Sequence, residues 1–230
     1  MQKNDNIGML IMSGVVLALI FGYTTFFNNP GFTYNKEVLF SPVSQVSGFS
    51  VNNIEDTSKY YTTQFKVDKS QFKKAPEFTQ VTGYVNTSPI KLSDLKGKVV
   101  LVHFWTYTCI NCIHTIPYIN EWYKKYSDKG LVIASVHTPE FEFEKNIDSV
   151  KKAVLDFEIK YPVIQDNNYG TWNAYGNKYW PRDYLVDSEG YIRYDHVGEG
   201  GYTETEKMIK LLLAEPGTNT KVNLTVTNAE

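Results

Sequence analysis

Val99-Val100-Leu101-Val102-His103-Phe104-Trp105-Thr106-Tyr107-Thr108-Cys109-Ile110-Asn111-Cys112 is the stretch on which the rest of the chain turns. Its first seven residues are apolar except for His103, which predicts a strand covered on both faces. Beyond Cys112, the segment Ile113–Tyr126 places Ile116, Ile119 and Tyr123 at helical spacing, with Trp122 beside them. Cys109 and Cys112 are the only cysteines in 230 residues. A vicinal pair between a buried strand and a helix is the layout of a thiol–disulfide exchange site. The first thiol falls at the positive end of the helix, where its thiolate is stabilised. The second falls one turn on, within reach of a mixed disulfide formed by the first.

A disulfide scaffold would spread several cysteine pairs through the chain. One pair three residues apart closes almost no loop and stabilises little, so redox cycling is the better reading. The hydrophobic fraction of 42% is enough for a core, and a net charge of −2 gives no reason to expect nucleic acid. No cofactor or bound metal is called for by the motif.

Working outward, four segments are expected: an anchor over 1–27, a polar tether over 28–74, a compact domain over 75–215 and a loose tail over 216–230. The anchor rests on Ile7–Phe27, 21 residues without a charge. As a helix that run spans roughly 31 Å, the thickness of a bilayer's hydrocarbon core. A signal peptide would have a shorter apolar region and a small-x-small exit, whereas this run leaves through Phe27-Asn28-Asn29-Pro30. The flanking charges lean weakly toward an inside N-terminus.

Within the domain, Phe78–Val85 alternates like a strand, and Lys91–Lys98 predicts a short helix or turn closed by Gly97. Leu131–Val136 predicts a second buried strand. Phe143–Ile159 predicts one amphipathic helix with Ile147, Val150, Val154, Leu155 and Phe157 inward. Tyr161–Gln165 predicts a short strand and Gly170–Tyr175 a short helix. Asp183–Val186 and Tyr191–Val197 read as a hairpin turned by Asp187-Ser188-Glu189-Gly190. Thr203–Leu213 reads as a last helix, capped by Thr203 with Glu206 three residues on. This order predicts an α/β domain, a mixed sheet flanked by helices.

With these elements in place, the chain resembles the thioredoxin superfamily, and within it the membrane-tethered TlpA-like redoxins, including the redox domain of DipZ-type proteins. The resemblance covers about Ala75 to Leu213. It is carried by Ala75-Pro76-Glu77-Phe78, by Leu92–Lys98, by Phe104–Cys112, by His137-Thr138-Pro139-Glu140-Phe141 and by Tyr179-Trp180-Pro181 before the hairpin. It implies a thioredoxin-like fold and dithiol–disulfide exchange outside the cytoplasm. The partners would be protein thiols and disulfides and a redox partner protein, with the membrane engaged by the N-terminal helix. It implies Cys109 as nucleophile, Cys112 as resolving thiol and Pro181 as the cis-proline facing them.

The departures from that family matter too. His103 stands where thioredoxins carry a buried acid; it reads equally as a proton-transfer group and as a core histidine. Ile110 and Asn111 replace the glycine-proline of cytoplasmic thioredoxins, which leaves the direction of electron flow open. Thr115 stands where TlpA-like reductases place an acid. His114 reads as a plain surface residue. Trp180 reads as a wall over the sulfurs or as core packing, and Trp105 as packing beneath the site.

Covalent haem is excluded, because His114 is one residue out of register. Two other readings remain as alternatives. A copper- or zinc-binding metallochaperone would use the thiolates with a histidine. A peroxiredoxin-like peroxide reductase would need an arginine beside the thiolate, and only Arg182 and Arg193 are available.

Overall fold

Two seven-residue strands form the centre of the redox-site domain's sheet. The computed structural model describes residues 67–219; the anchor expected over 1–27, most of the tether and the last eleven residues lie outside them. Among the described residues no helix is long and apolar enough to cross a membrane. The described residues contain six strands: β1 (Gly83–Val85), β2 (Val99–Trp105), β3 (Leu131–His137), β4 (Val163–Gln165), β5 (Arg182–Val186) and β6 (Ile192–Val197). They form one sheet in the order β1-β4-β3-β2-β5-β6. β2 runs parallel to β3 and antiparallel to β5, which makes the sheet mixed as expected.

All seven residues of β2 and all seven of β3 are buried. The cause is helices on both faces. Alternate residues of β2 point to opposite layers. Val99, Leu101 and Trp105 join Ile116, Ile119, Ile209 and Leu212 in one core. Val100, Val102 and Phe104 join Leu92, Leu95, Trp172 and Tyr175 in the other. The helices supplying these cores are α1 (Ile110–Tyr126), α2 (Ile147–Asp156), α3 (Gly170–Ala174) and α4 (Tyr202–Leu213). Full burial of one such aliphatic side chain stabilises by about 1.5–3 kcal/mol, so the central strands hold the sheet in place beneath α1.

Several expectations are corrected. The alternation over Phe78–Val85 yields a strand only at Gly83–Val85; Gln80, at φ 53, breaks the extended run before it. The single helix over Phe143–Ile159 is two elements, a 3₁₀ turn at Glu142–Lys145 and then α2. Asn146 separates them, and its side chain accepts from the Ser149 N–H at 3.0 Å to cap α2. Leu155, expected inside, is 51% exposed. Thr203 does not cap α4. Gly201, at φ 62, occupies that position without a side-chain bond, and Glu206 instead accepts from the Tyr126 hydroxyl at 2.6 Å.

The domain also extends beyond both expected ends. Lys74 forms a bridge with Tyr191, and Lys69 lies 2.9 Å from the Asp187 carboxylate. At the other end the Asn219 N–H donates to the Gly97 carbonyl at 2.6 Å, and Thr218 donates to the Leu212 carbonyl at 3.1 Å. The start of the expected tail is therefore tied to the fold.

Candidate active site

Cys109 is the N-cap of α1, and its sulfur accepts the Cys112 N–H at 3.3 Å. The helix starts three residues earlier than the apolar spacing alone suggested, which puts both cysteines on its first turn. Both are free thiols. Cys109 is half-buried, whereas Cys112 is fully buried in the core with Trp105 and Ile116.

These positions give the thiols opposite properties. The hydrogen bond from the Cys112 thiol is the largest influence on Cys109, and the N–H groups of Cys112 and Asn111 add to it. Together they outweigh partial burial and bring Cys109 from 9.0 down to about 7. Burial pushes Cys112 up, and the hydrogen bond to Cys109 pushes it the same way. Cys109 is the nucleophilic thiolate by its chemistry, and Cys112 is held as a thiol.

The Trp180–Pro181 bond is cis. Phe104 of β2 pairs with Arg182 of β5, so buried Pro181 lies just before β5, at the end of the sheet where β2 delivers the cysteine loop. Trp180 is partly buried and packs against both cores. Its ring lies 4.1 Å from that of Trp172, and its Nε1–H donates to the Thr138 carbonyl at 3.0 Å. The packing meaning considered for Trp180 is thus present, with the ring partly exposed. Trp105, the other candidate site wall, is fully buried in the core that also holds Cys112, with its ring edge-on to His137.

His103 lies on the sheet face beneath α1, because it alternates with Leu101 and Trp105 of that core. Its Nδ1 is 2.6 Å from the Asp183 carboxylate, directly across the β2–β5 ladder. Its Nε2 is buried with no hydrogen-bond partner among the described residues. Asp183 was missed from sequence. The available signal was an acid in a short strand that otherwise reads as buried, two residues after Pro181.

Glu144 was also missed. It is fully buried. Its carboxylate accepts the Thr108 hydroxyl at 2.5 Å and the N–H groups of Glu140 and Phe141 at 2.6 and 2.9 Å. Burial opposes its ionisation, but the Thr108 and backbone hydrogen bonds prevail and hold it below the usual carboxylate range. No local pattern marks it, since its principal side-chain partner is 36 residues away.

The remaining candidates have partners other than the two sulfurs. His114 is exposed and pairs with Glu199 at 3.1 Å. Thr115 turns its hydroxyl onto the Cys112 carbonyl at 2.7 Å. Both arginines are tied to carboxylates, Arg182 to Asp195 at 2.5 Å and Arg193 to Asp187 at 3.0 Å. Among the described residues no three His, Cys, Asp or Glu side chains gather as a metal site.

A mixed sheet of this order, with a dithiol at the head of its first helix, defines a thioredoxin-like redox domain. The chain belongs to the Redoxin family, whose model matches residues 71–212. Protein DipZ of Mycobacterium tuberculosis is 47% identical over 148 residues, covering 62% of this chain and 21% of DipZ. Thiol-disulfide oxidoreductase YkuV of Bacillus subtilis is 30% identical over 140 residues, covering 61% of this chain and 94% of YkuV. The crystal structure of a thiol-disulfide isomerase from Corynebacterium glutamicum superposes with a TM-score of 0.56 at 25% identity, covering 61% of this chain and 97% of that one. The chain thus spans a minor part of DipZ and nearly all of YkuV.

Proposed function

We propose that this protein is a thiol–disulfide oxidoreductase that exchanges the Cys109/Cys112 pair with disulfides of partner proteins. The observation that carries the proposal is the split between the two thiols, one half-exposed and lowered to about 7, the other buried and raised. In the reducing direction, the Cys109 thiolate attacks one sulfur of a partner disulfide. A Cys109–partner disulfide forms, and the other partner sulfur leaves as a thiolate that takes up a proton. Cys112 then gives up its proton and attacks the Cys109 sulfur. The second partner thiolate is released, and Cys109–Cys112 remains as a disulfide with two electrons passed to the partner. A second redox protein restores the dithiol.

The roles of the neighbours follow from their places. Backbone at Trp180–Pro181, in the loop just before β5 and beside the cysteine loop, receives the partner as an added strand. His103, with Asp183 behind it, accepts the Cys112 proton in the second step. The exposed apolar side chains Ile110 and Tyr179, which are 60% and 53% exposed, flank Cys109 and Trp180 and suit a polypeptide partner. The uncharged run Ile7–Phe27 anchors the chain in a membrane, and the polar segment up to the domain sets the redox site off the bilayer on the outer side.

The test uses the full chain and a model protein disulfide. Cys109→Ser abolishes reduction, and Cys112→Ser accumulates partners bound covalently through Cys109. Undiminished activity in the first variant, together with no adducts in the second, would overturn the proposal.

A further inference from the structure

Each residue of the tripeptide before Cys109 is held by the last residue of β3 or by the segment that follows it. The Thr106 hydroxyl lies 3.3 Å from His137 Nε2. The Tyr107 ring stacks on His137 at 5.5 Å, and its hydroxyl donates to the Phe143 carbonyl at 3.3 Å. Thr108 donates to Glu144, whose other oxygen gathers the N–H groups of Glu140 and Phe141. The same segment receives the Trp180 indole through the Thr138 carbonyl. The loop carrying the nucleophile and the loop carrying the cis-proline are therefore referenced to one short stretch, His137–Glu144.

Glu144 is the charged member of this arrangement, and nothing in the exchange reaction as written uses it. A fully buried carboxylate is costly unless its lone pairs are filled. Here they are filled by the Thr108 hydroxyl, with Thr106 contributing, from the cysteine loop and by two backbone N–H groups of its own segment. Thr108 is exposed at the surface, and its hydroxyl has a strong acceptor only because the 3₁₀ turn at Glu142–Lys145 directs Glu144 inward.

Resting on the exchange reading above, we infer that Glu144 is a positioning residue: through Thr108 it fixes the loop that sets the Cys109 sulfur against the N–H groups of α1. It does not touch the sulfur. Loosening the clamp lets Cys109 drift from the Cys112 N–H, which lies 3.3 Å away, and removes part of what stabilises the thiolate.

The experiment follows iodoacetamide labelling of Cys109 against pH in the reduced full chain, with urea unfolding run in parallel. Thr108→Val deletes the donor at an exposed position and keeps the shape. Thr108→Ser keeps the donor. Glu144→Gln keeps the size and removes the charge. The labelling midpoint rises by about one pH unit in Thr108→Val, rises in the same direction in Glu144→Gln, and returns to the wild-type value in Thr108→Ser. A Thr108→Val midpoint equal to wild type overturns the inference, whatever the urea curves do. So does a Thr108→Ser midpoint as far displaced as that of Thr108→Val, or a Glu144→Gln midpoint at or below wild type, the direction that loss of a negative charge alone would give. A wild-type midpoint near that of a free thiol would instead overturn the exchange reading itself, before any variant is compared.

Discussion

The two thiols should separate cleanly when the reduced protein is alkylated across pH. At pH 7 a thiol titrating near 7 is half ionised, while one at the ordinary value of 9.0 is about 1% ionised, a difference of about 50-fold in thiolate. Each thiolate of the more acidic sulfur is a weaker nucleophile, by about six- to tenfold over two units at a Brønsted slope of about 0.4–0.5. The net advantage of folded Cys109 over an unfolded cysteine is then about five- to eightfold at pH 7. Above neutrality it shrinks, and the two profiles cross near about pH 8, where the free thiol has gained enough thiolate to win on intrinsic reactivity. Half-burial of Cys109 scales its rate down at every pH, which reduces the advantage and moves the crossing to lower pH but leaves the shape of the profile unchanged. Cys112 contributes nothing in this range, because burial keeps it protonated. The assay is timed iodoacetamide labelling with peptide mass analysis, native and in urea. A native profile parallel to the urea profile, or equal labelling of both cysteines at pH 7, would refute the reasoning.

Two further outcomes follow from other buried groups. His137 is buried between Trp105 and Tyr107, and burial holds it down to about 4 from 6.5. Between those values the unfolded chain takes up a proton that the native state refuses, so stability falls as pH falls through this window, by about 3 kcal/mol in all. Urea midpoints of wild type and His137→Phe at about pH 7 and about pH 4.5 check this: the variant loses clearly less, and equal losses would contradict the assignment. Asp183→Asn keeps an acceptor for His103 but removes the charge behind it. Loaded with a chromogenic thiol on Cys109, this variant should release it about tenfold or more slowly by Cys112 attack. Unchanged release would exclude His103 and Asp183 from the proton transfer.

The parts of the molecule legible in sequence are those fixed by local pattern. β2 and β3 are continuous apolar runs, and a strand buried on both faces writes itself that way. The β5–β6 hairpin carries its turn residues between two apolar segments. Cys109 and Cys112 announce themselves by spacing alone. What stayed hidden depends on partners far along the chain. Phe143, Ile147, Val150 and Val154 keep helical spacing across Asn146, so the break before α2 leaves no trace in the periodicity; it arises because Glu144 is drawn inward to Thr108 and to the Glu140 and Phe141 N–H groups. Thr203 and Glu206 carry a capping-box pattern, yet Glu206 is taken by Tyr126, 80 residues away. Asp183 gains its meaning only when β5 is laid against β2 and the carboxylate meets His103.

The order of attack is a consequence of where α1 begins. Cys109 is lowered chiefly because Cys112 donates to it, from its thiol and from its N–H. Cys112 can make the first of these bonds only while protonated, so ionisation of one thiol requires the other to stay neutral; the N–H groups on Cys109 and the burial of Cys112 decide which one ionises. Burial and the bond to Cys109 both raise Cys112 in the resting dithiol, and the Cys109 and Asp183 charges add to the effect. Once Cys109 is bonded to a partner sulfur, its negative charge is gone and it is a far weaker acceptor. Two of the influences holding Cys112 as a thiol are thereby withdrawn, leaving burial and Asp183. Formation of the mixed disulfide itself therefore makes Cys112 easier to ionise, and the second step is primed by completion of the first.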